Sequence, residues 1–356
     1  MHTILSEEYL NEYYTDGYIN TDIRLTDHLV QEMRLHYNSL EEMRNDYPQY
    51  FTKNEHQAYL GGKLTGILYN FIPGYAAKKL KKMYSDAYCK AVHAEQIFIE
   101  KIFEQLLEKN FHKFFKTKYI VASYDIYLNN DYKHLSFTDI HSDIPNFHHF
   151  YETENDLTIY LPLVDLTEEN GGRLSILPEA KSNLKIPGNV LLKLYEEAFL
   201  GNKNNLDENG YIVPEKINEN DYKAFTKNKT YWELLENYNI NTELVAKYYM
   251  NDFVKHDWKA GNIVLFNNKT FHAAETWRNQ QYNREIYMIR LLPIYDAKVR
   301  LKGIIHGKPF NRFLIDTEKG EFLRFDEPVD FSRIPEEDKL KLSGCYQPSV
   351  AARANV

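Results

Sequence analysis

Cysteine is almost absent from this chain: Cys89 and Cys345 are the two thiols among 356 residues. Two thiols are too few for a disulfide framework, and their scarcity suggests a reducing compartment. Long hydrophobic runs are missing as well, for no apolar stretch approaches the ~18 residues needed to span a bilayer. The opening Met1–Glu8 has neither the basic start nor the apolar core of a secretory leader. An excess of positive charge is also lacking, since 43 Lys and Arg face 51 Asp and Glu for a net charge of -8. That balance argues against a phosphate-backbone partner. The one local cationic cluster, Lys78, Lys79, Lys81 and Lys82, reads as a solvated helix face. Repeats and low-complexity tracts are absent too. Together these gaps lead us to expect a soluble, cytoplasmic protein with no nucleic-acid or membrane partner.

Hydrophobic residues make up 43% of the chain, enough for a sizeable core. The length allows one large domain or two ordinary ones, and a single domain spanning 1–356 is the expectation. Residues 6–24 read as a short helix, a turn at Asp16-Gly17 and a short strand, with Ser6 placed to cap the helix. A second helix begins at Thr26, with Leu29, Met33, Tyr37 and Leu40 at helical spacing. One or two long helices are expected from about Ala76 to Phe115, with an apolar stripe of Ile99, Ile102, Phe103, Leu106, Leu107 and Phe111. His93 and His112 then read as helix-surface histidines.

From Lys118 the pattern changes to strands: Tyr119–Leu128, Leu157–Leu166, Leu174–Leu177, Asn262–Phe266 and Ile286–Ile294, each bounded by Gly, Asn, Asp or Pro. Helices gathered before strands imply a β core with helices packed outside it. Strand signals stop between about 181 and 255. This polar, helix-prone insertion is long enough for a lid or a substrate-shaping element, with plain decoration as the alternative. Residues 300–356 read as a polar C-terminal extension with scattered strand-like pieces.

The chemistry concentrates at His141-Ser142-Asp143. Side chains two apart on extended backbone share a face, so an imidazole and a carboxylate are presented together. They make two thirds of a 2-His-1-carboxylate facial triad, which leaves metal positions open and suits non-haem Fe(II) oxygen chemistry. Alone, His-x-Asp is a common pair, and a hydrogen-bonded couple at a strand end is the plain alternative. His272, at the end of the run through Phe266, is the candidate third ligand. Twelve residues beyond it Arg284 enters a strand. A 2-oxoglutarate cosubstrate chelates a metal through its keto-acid end and leaves a distal carboxylate to be held, a task suited to the bidentate fork of arginine. Arg290, in the same strand, is its rival.

Taken in order, Asp16-Gly17-Tyr18-Ile19, His141-Ser-Asp143, Tyr160-Leu-Pro-Leu-Val-Asp165, Asn170-Gly-Gly-Arg-Leu-Ser-Ile-Leu-Pro178, Ala260-Gly-Asn-Ile-Val-Leu-Phe266, Phe271-His272 and Arg284 resemble the phytanoyl-CoA dioxygenase-like branch of the Fe(II)/2-oxoglutarate-dependent oxygenases. The resemblance runs from about residue 6 to 296, with gaps at 45–115 and 181–255. It implies an α+β chain built on a double-stranded β-helix, a jelly-roll of the cupin-like kind. The N-terminal helices of about 1–117 would pack outside a core at about 118–296, which carries the helical insertion at about 181–255. It further implies that His141, Asp143 and His272 hold iron, with Arg284 pairing with the 2-oxoglutarate carboxylate and Tyr160 lying near that cosubstrate. Two positions depart from the family. Ala274 stands where a small hydroxyl residue is usual, and Glu179-Ala180-Lys181 replaces the common Gly-Ser-His.

Dioxygen would be the second cosubstrate. Because relatives that halogenate have a small residue in place of the carboxylate, Asp143 favours hydroxylation, desaturation or oxidative cyclisation. His148, His149, Tyr151 and Arg173 are placed by sequence to line the pocket mouth, where His148 and Arg173 would contact a polar or carboxylate-bearing small molecule. An amino acid or natural-product intermediate is the expected class; for His148 and His149 an ordinary loop pair is the plain alternative. Two other readings compete: a non-catalytic ligand-binding jelly-roll, and hydrolysis at a zinc ion held by the same residues, for which the motif offers no obvious general base.

Overall fold

The computed structural model of the chain describes residues 7–46, 91–93, 97–114, 119–130, 140–143, 157–182, 202–205, 220, 227, 229–293, 304–305, 308–309 and 313–324. It opens with helix α1 (Glu7–Asp16), strand β1 (Tyr18–Arg24) and helix α2 (Asp27–Asp46). Gly17 ends α1: its N–H bonds to the Tyr13 carbonyl at 2.8 Å, and its φ of +77° is a left-handed conformation that glycine takes without a Cβ penalty. Helix α3 (Ile99–Glu108) buries Ile99, Ile102, Phe103 and Leu106, spaced i, i+3, i+4 and i+7 on one face. Replacing Phe103 by Ala would cost about 3–5 kcal/mol through the cavity it leaves.

The other elements are β2 (Ala91–His93), β3 (Tyr119–Asn130), β4 (Leu157–Pro162), β5 (Leu174–Ile176), helix α4 (Lys229–Tyr248), β6 (Val254–Lys255), β7 (Asn262–Asn267), β8 (His272–Ala274) and β9 (Arg284–Pro293). Four short strands follow: β10 (Ile304–Ile305), β11 (Lys308–Pro309), β12 (Phe313–Asp316) and β13 (Glu321–Arg324).

Two antiparallel sheets make the core. The larger runs β1-β7-β4-β9-β3-β12-β13, with β2 also paired to β3, and the smaller runs β6-β5-β8. Every residue of β4 is buried, because both faces of the large sheet are covered; a strand so placed reads as a continuous apolar run. Its outward residues Ile159 and Leu161 join Ile263, Leu265, Tyr287 and Ile289 against Leu29, Met33, Tyr37, Ile102 and Phe103 of the helices. Its inward residue Tyr160 joins Val264, Phe266 and Ile286 against Leu174 and Ile176 of the small sheet. The architecture is the expected double-stranded β-helix with N-terminal helices outside, and α4 lies within the insertion.

The structure corrects three expectations. Residues 91–93 form a strand, with His93 paired to Ile126 in β3, so His93 is not on a helix. The strand expected over Leu157–Leu166 ends at Pro162, because β4 gives way there to the turn carrying Asp165 and Asn170. The segment beyond residue 300 is not merely an appendage: β12 pairs with β3 through Phe313↔Ala122 to Asp316↔Tyr119, extending the large sheet. Ser6 and the lysine cluster at 78–82 lie outside the described residues. Among the described residues no helix is long and apolar enough to cross a membrane.

Candidate metal centre

β8 carries His272, and the register Ile176↔His272 places it on the same side of the small sheet as the apolar interior. The opposite edge of β8 is taken by His141 in an isolated antiparallel bridge: His141 N–H donates to the His272 carbonyl at 3.0 Å, and His272 N–H returns the bond at 2.8 Å. Directly opposed residues of an antiparallel pair present their side chains on one face. The two imidazole rings therefore lie together, with centroids 4.4 Å apart.

Asp143 completes the group. Its Oδ1 lies 3.9 Å from His141 Nε2 and 4.0 Å from His272 Nε2. One ligand atom from each of the three residues falls within 4.8 Å of the others. Asp143 and His272 are buried, while the His141 side chain is 36% exposed, so the group opens to solvent on the His141 side.

The electrostatics suit a ligand set. Burial pushes the His272 imidazolium down to about 4, with His141 adding to the effect against Asp143 and the Thr270 carbonyl, so the ring is neutral at physiological pH. Its Nδ1–H donates to the Thr270 carbonyl at 2.9 Å. That bond selects the tautomer whose Nε2 lone pair is free to bind a metal. Burial alone would raise the Asp143 carboxyl; Arg290, helped by His272 and His141, overcomes it and holds the group down to about 2. Arg290 Nη1 lies 2.7 Å from Asp143 Oδ2 and also meets the Thr158 hydroxyl. Oδ2 is thus occupied, and Oδ1 is the oxygen turned toward the histidines.

Arg284 lies on the same strand face as Arg290, since β9 alternates and six residues separate them. At ~3.4 Å per residue they sit roughly 20 Å apart along the strand. Arg284 is 5% exposed. Its Nη2 donates to Tyr160 Oη at 2.6 Å, its Nε to the Gly172 carbonyl at 2.9 Å, and its Nη1 contacts Asn130 Oδ1 at 3.5 Å. All three partners are neutral, so this buried cation has no carboxylate among the described residues. Burial raises the Tyr160 phenol against the opposing pull of Arg284, which keeps it protonated. Gly172 makes room for the guanidinium: at φ +68° a Cβ there would stand 2.8 Å from Arg284 Cδ. Phe266 links the two regions, its ring centroid 4.9 Å from that of His272 and 6.3 Å from that of Tyr160.

The structure thus brings His141, Asp143 and His272 into one cluster and joins Tyr160 to Arg284. Arg173 is placed otherwise. Its Nε bonds Glu275 at 2.8 Å and its Nη1 bonds Asp257 at 3.1 Å, so the guanidinium is occupied within the protein and the substrate role expected from sequence finds no support in its placement. His148, His149 and Tyr151 lie outside the described residues. Sequence reading missed the Arg290–Asp143 contact, although the even spacing from Arg284 was a signal that both arginines face inward. It also missed Thr270 and Asn130, which carry no motif.

No protein-family model and no curated protein matches this chain. Solved structures similar to it include the non-haem α-ketoglutarate-dependent carbocyclase SnoK from nogalamycin biosynthesis, at 14% identity over 81% of this chain and 84% of that one, with a TM-score of 0.40. EctD from S. alaskensis with 2-oxoglutarate and 5-hydroxyectoine is similar at 11% identity over 82% and 77%, with a TM-score of 0.44. The non-haem monooxygenase ThoJ is similar at 11% identity over 94% and 95%, with a TM-score of 0.45. At these scores the likenesses add nothing to what the strands and side chains themselves state.

Proposed function

We propose that this chain is an Fe(II)- and 2-oxoglutarate-dependent oxygenase. The observation that carries the reading is the convergence of His141 Nε2, His272 Nε2 and Asp143 Oδ1, with the histidine tautomer and carboxylate charge already set for binding. Two neutral imidazoles and one carboxylate on one side of a cation are the donor set of the non-haem ferrous oxygenases. Zinc hydrolysis fits less well, because no described carboxylate other than Asp143 belongs to the cluster.

When bound, ferrous iron and the keto diacid supply dioxygen activation coupled to oxidation of a C–H bond, with succinate and carbon dioxide released. The chain's own residues would do the rest. Arg284 has no carboxylate partner among the described residues, and a buried cation in that state demands an anion; the distal carboxylate of 2-oxoglutarate is the anion we assign to it. Tyr160 accepts from Arg284, which leaves its own proton to donate to that carboxylate. Phe266 and Ile286 line the interior with apolar surface and exclude water. Arg290 keeps Asp143 ionised and oriented.

We further place the chain in the phytanoyl-CoA dioxygenase-like branch on its ordered motifs. Asp143 favours hydroxylation, desaturation or cyclisation over halogenation. The substrate class we propose is a small polar or carboxylate-bearing molecule, such as an amino acid or natural-product intermediate, with His148 among its contacts. The test is succinate formation by purified protein supplied with Fe(II), 2-oxoglutarate and candidate substrates. Asp143→Ala is expected to lose iron-dependent turnover; if it keeps full turnover, the ligand assignment is wrong.

A further inference from the structure

We propose that the α1–β1 turn at Gly17 is a positioning element of the metal centre, acting on His272 through Thr270. The inference rests on the metal-binding reading of His272 and names residues outside the ligand set.

The observation is a continuous run of hydrogen bonds. His272 Nδ1–H donates to the Thr270 carbonyl at 2.9 Å. The Thr270 hydroxyl, fully buried, lies 2.9 Å from the Gly17 carbonyl and 3.0 Å from Asn267 Oδ1. Asn267 N–H also donates to the Gly17 carbonyl, at 2.8 Å. The Gly17 carbonyl therefore gathers the connection between β7 and β8 from two points, and that connection carries the acceptor that orients the ligand histidine. Thr270 N–H bonds Asn267 Oδ1 at 3.0 Å, and the Asn267 amide meets Glu179, closing the arrangement around the turn.

The requirement for glycine follows from two independent features. Its φ of +77° is unfavourable for any residue with a Cβ. A Cβ built at this position would also run into Glu179 Oε1 and Thr270 Oγ1, the atom that holds the turn to the β7–β8 connection. Gly17 thus permits the close approach by which a carbonyl at the end of α1 fixes the rim of the site. Partners that orient a ligating histidine through its second nitrogen matter to metal affinity, typically by 10- to 100-fold. Here the orienting carbonyl belongs to a short connection, and what keeps that connection in place is the turn.

The test uses the full chain and cobalt(II) as the probe. Thr270→Val removes the hydroxyl at nearly constant shape, Thr270→Ser keeps it, and Gly17→Ala crowds it. Cobalt affinity is measured on the folded fraction by the visible absorption of the bound ion. Exchange of the His272 Nδ1 proton is measured by NMR without metal. The expected result is that Thr270→Val and Gly17→Ala bind cobalt roughly 10-fold more weakly and exchange the Nδ1 proton faster, while Thr270→Ser stays within about 2-fold of wild type. If Thr270→Val does not fold, Gly17→Ala against Thr270→Ser decides the same point. Variants that are destabilised but bind cobalt with wild-type affinity and protect the Nδ1 proton equally would overturn the proposal, leaving the turn a purely structural contact. A wild-type protein that binds no cobalt overturns the metal reading, and this inference with it.

Discussion

Arg290 holds Asp143 at 2.7 Å, guanidinium Nη1 to carboxylate Oδ2, with both side chains buried. The pair lies in the same group of side chains as two imidazoles, so it acts on the one anionic donor of the cluster. Replacing Arg290 by Met keeps much of the length and removes the charge. Leaving a buried carboxylate unpaired costs about 3–5 kcal/mol, and urea unfolding at neutral pH is expected to show a loss of that order. Because the Asp143 pKa is lowered from 3.8 to about 2, its contribution is full above pH 3.8 and disappears as pH falls toward about 2. In Arg290→Met burial raises the carboxyl instead, so this group causes no loss of stability as pH falls, and the variant's deficit relative to wild type is expected to shrink toward acid. Equal stability of the two proteins across pH 3–7 would show that the pair contributes nothing.

His272 predicts a second pH dependence, at milder acidity. Its folded pKa of about 4 lies below the ordinary 6.5, so the unfolded chain binds the proton more readily between those values. Stability is therefore complete above pH 6.5 and declines as pH falls toward about 4, by about 3 kcal/mol for this one group. Urea unfolding of metal-free protein at pH 7.5 and pH 4.5 measures the decline, and His272→Gln is expected to flatten it. A decline of the same size in the variant would assign it to other groups.

Arg284 and Tyr160 should separate in steady-state kinetics. Loss of a hydrogen bond to a charged group costs about 1.5–3 kcal/mol, so Arg284→Gln is expected to raise the KM for 2-oxoglutarate by about 10- to 100-fold. Tyr160→Phe removes one neutral donor and should raise it by about 5-fold. Cobalt affinity in both variants is expected to stay near wild type, because neither residue belongs to the ligand cluster. A KM unchanged in Arg284→Gln would return the rival Arg290 to consideration.

Gly172→Ala probes the same end of the pocket through the backbone. A left-handed φ of +68° costs a residue with a Cβ about 1–2 kcal/mol, and the new methyl would press on Arg284 Cδ. Thermal denaturation should show the loss, and the KM for 2-oxoglutarate should rise as the guanidinium is displaced. Lost stability with an unchanged KM would mean that Arg284 gives way without consequence.

Glu285 supplies a control on the outer face of β9. It is buried against Arg34 at 2.7 Å and accepts from the Tyr127 hydroxyl at 3.2 Å, tying α2 to the sheet. Glu285→Gln should cost about 2–3 kcal/mol, a modest figure for a pair whose arginine is partly exposed. Its cobalt affinity on the folded fraction is expected to match wild type, unlike that of Thr270→Val.

Much of the fold was legible where local spacing carries the information. The apolar residues of α3 recur at helical intervals, and β4 and β7 are continuous apolar runs because both faces are covered. The strands β12 and β13 were not legible as part of the sheet, because Phe313–Asp316 is short and its buried pattern arises only from pairing with β3. His93 was misjudged because a three-residue strand offers too few positions for any period to show.

The site divides in the same way. His141 and Asp143 could be read as a pair from sequence, since two positions on extended backbone share a face whatever surrounds them. The residue types, and the presence of an arginine soon after His272, are likewise matters of sequence alone. What folding decided was which distant groups meet. A β-ladder sets His272 against His141, an inward strand face carries both Arg284 and Arg290, and their positions along it send one to Tyr160 and the other to Asp143. Arg173, indistinguishable from them by residue type, went to Glu275 instead. Contacts of this kind depend on register between segments far apart in the chain, and register is set by the whole packed core rather than by any local run of residues.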